Sequence, residues 1–110
     1  MDKVSIIVRT CGRPEVLRGA LESIRKQTYP DVETVVIEDG LEISRQMICT
    51  EYSDLQLRYI STGKRVGRAK AGNLGVKVAQ GKYLNFLDDD DVLYPEPVSY
   101  THLRAHETLA

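Results

Sequence analysis

The chain has 110 residues, of which 42% are hydrophobic and 28% are charged, as in a globular domain with a single core. A net charge of −1 excludes the broad positive field that attracts nucleic acid or an anionic membrane. Two cysteines, Cys11 and Cys49, are too few for a disulfide scaffold or a zinc site. The amino-terminal run is too short for a signal peptide or a membrane span. We therefore expect a cytoplasmic protein, held at the inner face of the membrane if an anchor lies elsewhere in the gene product.

Short apolar runs alternate with helical patterns along the first 88 residues. Val16, Leu17, Ala20, Leu21 and Ile24 recur at helical spacing behind a proline that suits a first turn. The predicted strands cover residues 3–9, 32–38, 55–61 and 82–87. The predicted helices cover residues 14–26, 43–52 and 68–79.

The order β-α-β-α-β-α-β predicts an α/β protein, with a mostly parallel sheet and helices on both of its faces. The last run, 82–87, is almost continuously apolar, which is typical of a strand covered on both faces. Ligands of such sheets bind beyond the carboxyl ends of the strands. Polar groups follow three of the four predicted strands, so we expect them to converge on one site.

Four aspartates, Asp88 to Asp91, follow the last predicted strand. In extended backbone Asp88 and Asp90 project to the same side, so their carboxylates can reach one cation. Ligation by oxygen alone suits Mg²⁺ or Mn²⁺, and a dication would relieve the repulsion between the carboxylates. The alternatives are a solvated acidic loop or the cap of a following helix.

The other strand ends carry Thr10 and Arg13 after the first strand, and Glu38 and Asp39 after the second. Asp39, in an Asp-Gly turn, could accept a hydrogen bond from a nucleobase, although Asp-Gly is also an ordinary turn sequence. The basic stretch 63–70 opens a helix, where free N–H groups favour anions. A solvated helix start is the alternative, because the stretch lacks the Walker pattern.

Three segments, in this order and at these intervals, resemble the family 2 glycosyltransferases with the GT-A fold. They are VSIIVRTCGRPEVLRGALESIRKQTYP, VETVVIEDG and VGRAKAGNLGVKVAQGKYLNFLDDDDVLYP. The resemblance covers residues 3–97. It implies a Rossmann-like fold that binds a nucleoside-diphosphate sugar and is incomplete at its carboxyl terminus.

The resemblance also implies roles for individual residues. Thr10 and Arg13 would begin the nucleotide pocket, Glu38 and Asp39 would form the acidic pair, and Asp39 would contact the base. The aspartates match the D-x-D motif: Asp90 would ligate the metal, Asp88 would contact the ribose or the metal, and Asp89 would lie with the donor. Gly72 stands where the family often has arginine, so Arg68 or Lys70 would supply that charge, beside Asn73. Leu41 replaces the usual serine of the turn.

The implied reaction transfers a sugar, by default from a UDP-sugar, to a hydroxyl of a glycan or lipid-linked acceptor with inversion, as in polysaccharide biosynthesis. Its general base belongs to a later segment in the family, so we expect no catalytic residue in this chain. The tail 98–110 resembles translated adapter sequence, and we expect residues 1–97 to be the donor-binding part of the domain. On that interpretation His102 and His106 have no function.

Three alternative functions make different demands on the sequence. A non-catalytic nucleotide-sugar-binding module stays open, because donor binding does not require turnover. A nucleotidyltransferase should have a glycine-rich loop after the first strand, where residues 10–14 contain one glycine. A response-regulator receiver should have an acidic pair after the first strand, where Arg9 and Thr10 stand instead.

Overall fold

The computed structural model describes residues 2–27 and 29–91, and within them the predicted order of elements is confirmed. Element ends differ from the predicted ones by no more than one or two residues. The strands are β1 (Val4–Thr10), β2 (Val32–Glu38), β3 (Leu57–Ser61) and β4 (Tyr83–Asp88). The helices are α1 (Pro14–Arg25), α2 (Arg45–Glu51) and α3 (Arg68–Val78).

The four strands form one sheet in the order β3-β2-β1-β4, with every neighbouring pair parallel. Thr10 of β1 lies opposite Glu38 of β2, and Arg9 lies opposite Asp88 of β4. The chain moves outward from β1 to β3 and then crosses to the other edge as β4. The direction of winding therefore changes between β1 and β4, which is where open α/β sheets bind ligands.

Helices cover both faces of the sheet, as predicted. Alternate strand residues such as Ile6 and Val8 pack against α1 and α2, and the intervening ones such as Ile7 pack against α3. β4 contributes Leu87 to the core on the α1 and α2 side of the sheet and Leu84 to the core on the α3 side. This confirms that the strand is covered on both sides.

Gly75 sets how closely α3 approaches the sheet. A Cβ atom at this position would lie 2.5 Å from Cγ2 of Ile7, so a larger residue would push the helix outward. The close approach fixes the position of the first turn of α3, which lies at the carboxyl end of the sheet.

A buried polar cluster closes the opposite, amino-terminal edge of the sheet. Glu33 is 2% exposed, and one of its carboxylate oxygens accepts hydrogen bonds from Ser5 Oγ at 2.6 Å and from the N–H of Gln80 at 2.8 Å. Ser5 Oγ in turn accepts the N–H of Gly81 at 2.8 Å. These bonds join β1, β2 and the connection from α3 to β4.

Candidate functional site

A pocket of about 340 Å³ lies at the carboxyl ends of β1, β2 and β4, beside the first turn of α3. It occupies the point where the winding of the sheet reverses. Most of its lining is charged, which suits a polar, anionic ligand with a cation. The charged residues are Arg9, Arg13, Arg65, Arg68, Asp39, Asp88, Asp89 and Asp90. The remaining lining residues are Thr10, Cys11 and Ala71.

A tight turn brings three of the four consecutive aspartates together. The N–H of Asp91 donates to the carbonyl oxygen of Asp88 at 3.0 Å, directly after β4 ends. Carboxylate oxygens of Asp88, Asp90 and Asp91 lie within 4.8 Å of one another, and Asp90 and Asp91 are exposed. This set of oxygen atoms fits Mg²⁺ or Mn²⁺.

The turn corrects one step of the sequence argument. Asp88 and Asp90 were predicted to meet because both lie in extended backbone, but the strand ends at Asp88. The reversal of the chain brings the two carboxylates together and adds Asp91, which the sequence argument left out of the metal site.

Asp89 is not part of this group and is 2% exposed. Its carboxylate accepts hydrogen bonds from Thr10 Oγ1 at 2.8 Å and from Arg13 Nε at 3.1 Å, and it also pairs with Arg13 Nη2. Thr10, Arg13 and Asp89 were each predicted to bind the donor. Their polar atoms bind one another and tie the end of β1 to the turn after β4.

Two arginines share the carboxylate of Asp88. Arg9 Nη2 lies 2.9 Å from Oδ1, and Arg68 Nη2 pairs with Oδ2. These two guanidinium groups offset the negative charge of Asp88. From sequence, we expected a bound dication to offset that charge. Sequence reasoning missed Arg9, because its pairing with Asp88 depends on β1 and β4 being neighbours.

Glu38 is fully buried and does not line the pocket. Its carboxylate accepts the N–H groups of Ser44 at 2.9 Å and Gly12 at 3.2 Å, the hydroxyl of Ser44 at 3.1 Å, and the hydroxyl of Tyr59. Burial, together with the bond to Glu38, raises the pKa of Tyr59. This acidic residue holds the loops after β1 and β2 in place beneath the pocket.

Asp39, next in the chain, lines the pocket and is 6% exposed. It accepts hydrogen bonds from the N–H groups of Val66 at 2.8 Å and Gly67 at 3.0 Å, and from Thr62 Oγ1 at 3.1 Å. The bond from Val66 has the largest effect on its pKa, which is lowered despite burial; Gly67, Thr62 and the charge of Arg65 act in the same direction. Asp39 therefore stays ionised and orders the loop that leads into α3.

The predicted residues of α3 separate into two groups. Arg68, the first residue of the helix, reaches the pocket. Lys70 and Asn73 are exposed and do not line it. Arg65, in the loop before the helix, does line it and was not selected from sequence, where it was one of several charges in a basic stretch.

A parallel sheet with helices on both faces, and a charged pocket at the reversal of its winding, places the chain in the open α/β class whose ligands bind at that point. Comparison with known proteins agrees with this class. The family model described as "Glycosyl transferase family 2" matches residues 5–108, and the chain belongs to that family.

Relatives and solved structures also match most of this chain. The glycosyltransferase GlyG of Streptococcus pneumoniae is 27% identical over 108 residues, which are 96% of this chain and 36% of GlyG. S. aureus TarS 1–349 in complex with UDP-GlcNAc superposes with a TM-score of 0.77 at 28% identity, over 84% of this chain and 28% of that one. The mannosyltransferase PcManGT from Pyrobaculum calidifontis, in complex with GDP-Man and Mn²⁺, gives 0.75 at 25% identity, over 83% and 28%.

These comparisons confirm the predicted family and the GT-A fold. The chain spans little more than a third of GlyG and less than a third of both solved chains. The family match extends through residue 108, whereas residues 92–110 lie outside the described part of the structure. The domain boundary at residue 97 and the foreign origin of the tail therefore stay predictions. Within the described residues, no helix has the length and apolar character needed to cross a bilayer.

Proposed function

We propose that the whole protein transfers a sugar from a nucleoside diphosphate, with UDP as the first candidate, to an acceptor hydroxyl. The chain described here would form the donor-binding part. The observation that carries this proposal is the acidic turn of Asp88, Asp90 and Asp91, which meets Arg68 at the edge of the pocket. TarS in complex with UDP-GlcNAc and PcManGT in complex with GDP-Man and Mn²⁺ support it as structural neighbours.

Asp90 and Asp88 are the proposed metal ligands, and the oxygens of Asp91 are close enough to join them. When bound, Mg²⁺ or Mn²⁺ would act as a Lewis acid that neutralises the charge developing on the departing diphosphate. The exposed position of Asp90 and Asp91 leaves their carboxylates open to such an ion. Asp89 is buried, and in this proposal it fixes the turn instead of binding the ion.

The remaining pocket residues receive roles from their position. Asp39 is proposed to meet the base, because it is ionised, lines the pocket and already organises the loop beside it. Thr10 and Arg13 would shape the nucleotide end of the pocket through their bonds to Asp89. Glu38 supports Asp39 from below, and Lys70 and Asn73 receive no role in donor binding.

The acceptor half of the reaction is proposed from the family alone. The general base would lie in a segment beyond the donor-binding part, and transfer would invert the anomeric centre. A glycan or a lipid-linked sugar is the proposed acceptor, in cell-surface polysaccharide synthesis at the cytoplasmic face of the membrane.

Calorimetric titration of the 110-residue chain with UDP, GDP and dTDP, each with and without Mn²⁺, tests donor binding. We expect UDP to bind most tightly and Mn²⁺ to strengthen its binding. Asp90→Asn should weaken the Mn²⁺-dependent binding of UDP by roughly tenfold or more, because it removes a charged metal ligand. Asp2→Asn is the matched control, since Asp2 is exposed and pairs with Lys82 at the far end of the sheet. Equal metal dependence in both variants would contradict the assignment of Asp90.

A further inference from the structure

The carboxylate of Asp88 binds two arginines that differ sharply in their surroundings. Arg9 binds Oδ1 and its side chain is 24% exposed, whereas Arg68 binds Oδ2 and its side chain is 68% exposed. The same carboxylate belongs to the group of three that can hold a cation. One oxygen of Asp88 therefore has a sheltered partner and the other has a partner at the surface.

Arg9 is held in place by the fold. It lies opposite Asp88 in the pairing of β1 with β4, and its guanidinium carbon is 5.3 Å from the centre of the Phe86 ring. A Cβ atom at Gly72 would be 3.7 Å from both Cδ and Nη1 of Arg9, so any long side chain at that position would compete for this space. Gly72 thus leaves room for an arginine that comes from the strand. The fold therefore restricts Arg9 more than it restricts Arg68, the other partner of Asp88.

Arg68 has no comparable enclosure. It is the first residue of α3 and lines the pocket beside Asp88. Exposed ion pairs of this kind are weak because water screens both charges. A doubly charged ion that approaches the carboxylates of Asp88 and Asp90 would compete with Arg68 for Oδ2, and the displaced guanidinium would remain at the edge of the same pocket.

We propose that Arg68 and the divalent cation exchange at Asp88, an inference that rests on the proposed function. Without ligand, Arg68 neutralises Oδ2. When a divalent cation and a nucleoside diphosphate bind together, Asp88 would help to hold the cation, and Arg68 would pair with the diphosphate oxygens, which guanidinium groups bind through two parallel hydrogen bonds. The exchange gives Arg68 a new partner when both ligands bind, but it leaves Arg68 without Asp88 as a partner when the cation binds alone. Arg68 thereby selects the cation–diphosphate complex over the bare cation.

The test measures two affinities in Arg68→Gln. Binding of Mn²⁺ alone, followed by the electron paramagnetic resonance signal of the free ion, should become tighter by about two- to fivefold, because the competing charge is gone. Binding of UDP at saturating Mn²⁺, followed by calorimetry, should become weaker by about fivefold or more. Lys77→Gln is the matched control, since it removes the same charge from an exposed position in the last turn of the same helix. It should change neither affinity, and circular dichroism should show that both variants are folded.

We expect the two affinities of Arg68→Gln to change in opposite directions, with tighter binding of Mn²⁺ alone and weaker binding of UDP. If Arg68→Gln leaves the affinity for Mn²⁺ alone unchanged or weakens it, while the unmodified chain still binds UDP with Mn²⁺, the exchange is wrong and the proposed function stands. If the unmodified chain binds no nucleoside diphosphate with or without Mn²⁺, the proposed function fails and the exchange fails with it.

Discussion

Glu33 at the amino-terminal edge of the sheet and Asp88 at the carboxyl edge are carboxylates that the structure holds in different ways. At the amino-terminal edge, Glu33 is buried and accepts hydrogen bonds from the hydroxyl of Ser5 and from the N–H of Gln80. The N–H of Gly81 donates to the same hydroxyl. At the carboxyl edge, two arginine side chains bind the carboxylate of Asp88, and Asp90 and Asp91 are exposed. A carboxylate bound by backbone groups is fixed by the fold, whereas one bound by flexible side chains can change partners. Residue type alone does not show whether a carboxylate is fixed by the fold or can change partners.

A different division runs between the neighbouring residues Glu38 and Asp39, because backbone N–H groups bind both carboxylates but only Asp39 lines the pocket. Glu38 is fully buried with its carboxylate bound by two loops and Tyr59, whereas Asp39 faces the pocket. An acidic pair that looks uniform in sequence therefore consists of a structural residue and a candidate ligand-binding residue.

The largest effect on stability should come from the amino-terminal edge. A Cβ atom at Gly81 would lie 2.6 Å from Ser5 Oγ and 2.7 Å from the backbone nitrogen of Ser5, so the backbone would have to move. Gly81→Ala should lower the free energy of unfolding by about 2–3 kcal/mol, measured by urea denaturation. Binding of UDP to the protein that remains folded should be unchanged, because the pocket lies at the other edge.

Gly19→Ala is the matched control for this change. Nothing lies within 4 Å of a Cβ atom at Gly19, which is in the interior of α1. Alanine there should raise the free energy of unfolding by about 0.5–1 kcal/mol through helix propensity. A Gly81→Ala variant as stable as the unmodified chain would show that the amino-terminal edge is not closed as described.

A smaller effect should come from Asp39, which the fold holds in the pocket. Its pKa is lowered from the ordinary 3.8, so its stabilisation is complete above that value and is lost as the pH falls through the still lower pKa of the folded state. Asp39→Asn should lower the free energy of unfolding at pH 7 by about 1–2 kcal/mol, because the loop N–H groups lose a charged acceptor. Denaturation at pH 7, 5, 4 and 3 measures the difference.

The difference in free energy of unfolding between Asp39→Asn and the unmodified chain should be constant from pH 7 to 5 and should become smaller below pH 4. Asp2→Asn, at an exposed position, should show no such difference at any pH. A difference that persists undiminished at pH 3 would mean that the loss does not come from the charge of Asp39.

The sequence was sufficient for the elements and for the fold class. The apolar spacing in α1 and the β-branched runs of β1 and β2 are local signals, and the alternation of strands and helices restricts the sheet to a parallel one. The strand ends were therefore correctly expected to converge, and Arg13, Asp39, Arg68 and Asp88 do line one pocket.

The contacts within the site could not be predicted, because they depend on strand order and on a turn. Arg9 meets Asp88 only because β4 joins the sheet next to β1. Asp91 joins Asp88 and Asp90 only because the chain reverses at the end of β4. The carboxylate of Glu38 is bound by Ser44, in the loop after β2, and by Tyr59 on β3, and neither belongs to the acidic pair itself.

The most direct test of the account is a crystal of the chain grown with UDP and Mn²⁺, with anomalous scattering measured at the manganese absorption edge. We expect one strong anomalous peak at the turn after β4, from manganese coordinated by Asp90 and by Asp88 or Asp91. The diphosphate should lie beside it, with Arg68 turned toward that diphosphate. Well-ordered UDP with no manganese peak at this turn, or manganese bound at another part of the molecule, would contradict this expectation.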